Sequence, residues 1–103
     1  MIDMKISGFQ VTLRLPANFD FKYTKEFQRC YRRHEPGTTF QVDFQNVASI
    51  DSSVLGMLLA MRTHFGNDKA DIHLTHCRPH VLKIFLTAKF DSFFKIFPSM
   101  DTK

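Results

Sequence analysis

The stretch "SIDSSVLGML", Ser49 to Leu58, sets an acid and two hydroxyls directly before an apolar run. Such side chains satisfy the free amides of a first helical turn, so Asp51, Ser52 and Ser53 mark the start of a helix. Behind them Val54, Leu55, Met57, Leu58, Leu59 and Met61 cover more than half the circumference of a helix spanning about Ser53 to Phe65. A helix so widely apolar is buried. Gly66-Asn67-Asp68 stops it.

Strands lie on either side. Upstream, "TTFQVDFQNV" alternates, with Phe40, Val42 and Phe44 on one face and Gln41, Asp43 and Gln45 on the other. Downstream, "ADIHLTH" turns Ile72 and Leu74 inward, and Pro79 stands near the start of a third helix whose Val81, Ile84, Phe85 and Ala88 form a stripe. Toward the N-terminus, Met4 to Ser7 and Phe9 to Leu15 read as two strands joined at Gly8. Pro16 to Asp20 turns the chain into a helix over Lys22 to His34, striped by Phe27, Cys30, Tyr31 and His34 and ended by Glu35-Pro36-Gly37. The tail "KFDSFFKIF" reads as a helical turn and a last short strand, its phenylalanines mostly core. Strands alternating with helices predict an α/β fold: one domain over 1–103, core about 4–97. Its sheet is mostly parallel and four- to five-stranded, with an antiparallel N-terminal edge hairpin and three to four flanking helices. In such sheets functional groups gather where strands lead into helices, which singles out Asp20 and the Asp51-Ser52 pair.

Composition narrows the function. The chain has 103 residues, 44% hydrophobic, with twelve Phe and no Trp, enough for one compact core. No basic-then-apolar leader is visible, and the longest apolar run, Val54 to Met61, is far shorter than the roughly 20 residues of a membrane span. With only Cys30 and Cys77, a reducing, cytoplasmic location is expected. A net charge of +4 is a mild excess, and the basic "RCYRRH" of the first helix reads as a solvated face, so no nucleic acid is expected as a partner. His73, His76, Cys77 and His80 are possible zinc ligands, but an odd spacing on a regular strand sends His73 and His76 to opposite faces. No metal, no cofactor and no catalysis are expected: no nucleophile elbow and no phosphate loop are present.

The string "VDFQNVASIDSSVLGMLLAM", with "ADIHLTHCRPHVLKIFLTAKFDSFFKIF" after the glycine break, resembles the STAS domains of bacterial anti-sigma factor antagonists, from the N-terminal hairpin to Phe97. The most specific part is Asp-Ser-Ser-x-Leu-Gly, here Asp51, Ser52, Ser53, Val54, Leu55 and Gly56, and Asp20 meets the family's aspartate after the second strand. The resemblance implies a partner-switching regulator that binds an anti-sigma factor when unphosphorylated and is released when a serine kinase, often the anti-sigma factor itself, modifies Ser52. A cognate phosphatase restores it. Ser53 is the second choice of acceptor. Asp20, Asp51, Ser52, Ser53 and Val54 are then the partner-facing residues. The alternative is a STAS subunit of an ABC-type phospholipid transport complex, in which serine phosphorylation is not the switch. Val54 and Lys89 stand where the family usually has glycine, Lys89 being expected to force a different helix end, and the basic charge balance is less usual for the family.

Overall fold

The computed structural model describes residues 1–99; the last four residues of the expected 1–103 domain lie outside the described residues. A hairpin opens the chain, β1 (Asp3–Ser7) and β2 (Gln10–Arg14), closed by Ser7 opposite Gln10. Gly8 is the first of two loop residues and has φ 62°, the left-handed conformation that a tight hairpin of this kind requires there. Then follow α1 (Thr24–Tyr31), β3 (Thr39–Asp43), α2 (Ser52–His64), β4 (Asp71–Cys77), α3 (Pro79–Thr87) and β5 (Lys95–Pro98). Short 3₁₀ turns occupy Phe21–Tyr23, Asn67–Lys69 and Phe90–Ser92.

The five strands lie side by side in chain order, β1-β2-β3-β4-β5, antiparallel in the first pair and parallel thereafter. Because each crossover steps in the same direction, the right-handed rule places all three helices on one face. Burial follows that geometry. Val11, Leu13, Phe40, Val42, Ile72 and Leu74 are buried beneath the helices, whereas Gln10, Thr12, Gln41, His73 and Lys95 on the other face are not.

One polar residue of the open face is buried nevertheless. Asp43 is 2% exposed. Its Oδ2 accepts from Arg14 Nε of β2 at 3.3 Å, its Oδ1 accepts from the Gln45 amide at 2.8 Å, and His76 Nδ1 of β4 lies 3.2 Å from the same oxygen. His76 reaches it because β4 bulges between Leu74 and Cys77, with His76 itself at φ 56°. This bulge corrects the expectation that His73 and His76 leave opposite faces. Both line one cleft of about 290 Å³ with Gln41, Thr75, Phe97 and Pro98. Among the described residues, no group of three or more His, Cys, Asp and Glu side chains is placed to hold a metal ion.

Other differences are local. The first helix is shorter than Lys22 to His34, because the Asp20 carboxylate accepts from the Lys22 amide at 3.0 Å and starts a 3₁₀ turn first. In α2, Val54, Met57, Leu58 and Met61 are buried, but Leu55 is partly exposed and Leu59 is 38% exposed. The stripe of α3 narrows to Val81 and Phe85, with Ala88 exposed. Lys89 does not alter the helix end: it adopts φ 61°, ψ 33°, the left-handed conformation that glycine takes in that position. In the tail, Phe85, Phe90 and Phe94 are core, and Phe93 and Phe97 are exposed. Cys30 and Cys77 are free thiols, and burial pushes the Cys77 thiol up to about 12.

Two stability measurements test this packing. Leu58→Ala is expected to cost about 2–5 kcal/mol by denaturant unfolding, and Leu59→Ala under about 1 kcal/mol, since only the first empties a buried site. Lys89→Gly is expected to stabilise the domain by about 1 kcal/mol, by relieving a side chain held at positive φ. A destabilised Lys89→Gly protein would mean that the α3 end is built differently.

Candidate functional site

The segment between β3 and α2 is tied down at both ends. Phe44 N donates to Thr75 O (2.9 Å), Val47 N to Phe44 O (3.0 Å), and Arg78 Nε to Gln45 O (2.9 Å). Val47 is fully buried, whereas Ala48 and Ser49 lie in solvent. The chain then enters α2 with Asp51 in extended conformation as its cap.

The three polar residues divide the work. Asp51 Oδ1 accepts from the Ser53 amide at 3.0 Å and from the Ser53 hydroxyl at 2.5 Å. The Ser53 side chain, followed by backbone amides, holds the Asp51 carboxyl below the usual carboxylate range. Ser52 is exposed, and among the described residues its hydroxyl makes no hydrogen bond. One hydroxyl is therefore spent on the helix cap and the other is presented to solvent. Ser52 sits at the positive end of a thirteen-residue helix, with no acidic residue in the first turn, so added negative charge there is locally tolerated.

Val54 does not belong to this surface. It was expected among the partner-facing residues, but the helix turns it into the core, fully buried, where it anchors the first turn. Asp20 is half-buried and caps the Phe21–Tyr23 turn, which packs against α2. Sequence reasoning missed Phe21. It follows Asp20 directly and is 62% exposed, and a cap at Asp20 with an aromatic one residue on was the available signal. It also missed a groove of about 240 Å³ between α1 and α2, lined by Phe27, Tyr31, Ser53, Gly56 and Met57 among others. Gly56 lines it with open space where a Cβ would stand.

Carbon-detected titration tests the cap. The Asp51 carboxyl is expected to titrate below its ordinary value, and Ser53→Ala to bring it back up. A carboxylate with a depressed folded pKa stabilises the fold above its unfolded pKa, and that contribution is lost as pH falls through the folded value. Stability of Ser53→Ala should therefore fall less on acidification than that of the natural chain.

Comparison with known proteins agrees with this architecture. The family described as "Mlab, STAS domain" matches residues 2–97. A STAS-domain containing protein of Pseudomonas aeruginosa (strain UCBPP-PA14) is 38% identical over 90 residues, covering 86% of this chain and 89% of that protein. Among solved structures, a putative anti-sigma factor antagonist from Thermotoga maritima superposes with a TM-score of 0.79 at 18% identity, over 96% of this chain and 87% of that one. The Bacillus cell fate determinant SpoIIAA in its phosphorylated form gives 0.67 at 15% identity, over 93% and 90%. The chain belongs to the STAS-domain family.

Proposed function

We propose that this STAS domain is a cytoplasmic anti-sigma factor antagonist that works by partner switching, with Ser52 as the phosphoacceptor. Unphosphorylated, it binds an anti-sigma factor through the surface around Asp20, Asp51, Ser52 and Ser53. A serine kinase modifies Ser52 and releases the partner, and a phosphatase restores binding. The domain is the substrate of both enzymes and catalyses nothing itself.

The observation that carries this reading is the contrast between the two hydroxyls. Ser53 is committed to Asp51, whereas Ser52 is exposed at the helix N-terminus. Phosphate at Ser52 adds about −1.5 to −2 charges beside the ionised Asp51 without breaking the cap, so the fold survives modification. A partner surface matched to a neutral hydroxyl then faces repulsion and desolvation. A loss of about 3 kcal/mol suffices for a hundredfold drop in affinity.

Calorimetric titration against the anti-sigma factor captured from the host tests it. Ser52→Ala is expected to bind as the unmodified protein does and to ignore the kinase. Ser52→Asp should bind at least about tenfold more weakly, a cost of about 1.4 kcal/mol, with both variants folded by circular dichroism. Phosphopeptide mapping should place the modification on Ser52, and Ser53→Ala should still accept it. Equal binding by folded Ser52→Asp and Ser52→Ala would sink the switch and favour the transport-complex subunit instead.

A further inference from the structure

The outer edge of the sheet has a self-complementary chemistry. β1 is bonded to β2 on one side only, and all five of its residues are exposed. With Ser7 and Gln10 as the closing pair of a two-residue hairpin, the backbone groups of Ser7, Lys5 and Asp3 turn toward β2. Those of Ile6 and Met4 turn outward. The Ile2 amide, on the same outward phase, already donates to Glu26 Oε2 at 2.8 Å, which holds the start of the edge against α1.

The side chains along this edge are equally ordered. Met4 pairs across β2 with Leu13 and Ile6 with Val11, on the helix-bearing face. Leu13 and Val11 are buried, but Met4 and Ile6 lie beyond the cover of the helices, 46% and 59% exposed. Asp3 and Lys5 flank Met4 on the open face with opposite charges.

The geometry points to a second copy of this chain as the occupant of that edge. Antiparallel pairing of β1 with β1 of another molecule, centred on Met4, sets Asp3 opposite Lys5 of the second copy, and Lys5 opposite its Asp3. Met4 then lies against Met4, and Ile6 beside Ile2, whose amide stays with Glu26 and leaves that pair one of its two backbone hydrogen bonds. Because Met4 turns its backbone outward, it forms the hydrogen-bonded pair, and the two charge pairs fall at the neighbouring positions where side chains approach closest. A register centred on Lys5 would oppose lysine to lysine, and one centred on Asp3 would oppose aspartate to aspartate. The twofold so defined joins two five-stranded sheets into one of ten, with the helices of both copies on the same face. The edge shares no residue with the surface around Asp20, Asp51, Ser52 and Ser53, so the charge reversals at Asp3 and Lys5 test the dimer without altering the residues of the switch.

Sedimentation equilibrium of the full chain from about 1 μM to about 1 mM, the span of weak self-association, provides the test. The natural chain is expected to form a concentration-dependent dimer. Asp3→Lys and Lys5→Asp should each weaken self-association at least about tenfold, by opposing like charges. An equimolar mixture of the two variants should associate again, as should the double exchange Asp3→Lys with Lys5→Asp. Circular dichroism checks the fold of each variant. Without any substitution, amide exchange at Met4 and Ile6 should slow as concentration rises. A chain that stays monomeric throughout leaves the edge to some other occupant and overturns the proposal. So does a dimer insensitive to both single charge reversals, or a mixture of variants that does not associate.

Discussion

A single buried carboxylate ties together the carboxyl ends of three strands. Taking a charge out of water costs several kcal/mol unless hydrogen bonds and opposite charge replace the lost hydration. Asp43 meets that demand with hydrogen bonds from Arg14 of β2 and from the Gln45 amide after β3, and His76 Nδ1 of the β4 bulge lies 3.2 Å from its Oδ1. Each of these neighbours comes from a different part of the chain. The carboxylate therefore sets the relative position of β2, β3 and β4, and the direction in which the chain leaves β3. The exit leads directly into the anchored stretch Phe44 to Val47, where Phe44 N donates to Thr75 O and Val47 N to Phe44 O. The strained backbone of His76 belongs to the same arrangement, since only the bulge brings its ring onto the shared face.

The other end of that segment is settled by ordinary helix chemistry. Asp51 captures the Ser53 amide and hydroxyl, and the burial of Val54 fixes the rotation of the first turn. With Val54 inward, Ser52 faces solvent. The exposure of one serine is thus a consequence of core packing two residues further on. A hydroxyl exposed in this way needs no cavity of its own.

The fold was legible where pattern and chemistry coincide. Strand alternation in Phe40 to Phe44, the cap at Asp51 and the breaks at Gly37 and Gly66 reflect local physics, and they specify the strand–helix order. Features that need distant partners were not legible. Asp43 follows the polar phase of its strand, and nothing nearby announces that Arg14 and His76 will enclose it. The bulge at His76 breaks the period on which the opposite-face argument rested. At the site, the aspartate and the serines were readable from motif and capping rules, but which hydroxyl is engaged depends on side-chain geometry. Val54 shows the same gap from the other side. Its place in the motif suggested a contact surface, and the helix rotation puts it in the core.

Strand order equal to chain order has a consequence for synthesis. Every strand pairs with its predecessor, so no gap is held open for a later segment to insert. As the chain leaves the ribosome, the hairpin is complete once Arg14 has emerged, and each later crossover adds one strand to a finished edge. Loop closure is paid in short instalments of similar length rather than in one long-range search. Until β5 arrives, however, the growing edge is β4, whose inward Ile72 and Leu74 belong to the core. While β4 has emerged and Lys95 has not, that strand lacks its final neighbour, and this is the interval in which a nascent chain of this topology most needs a chaperone.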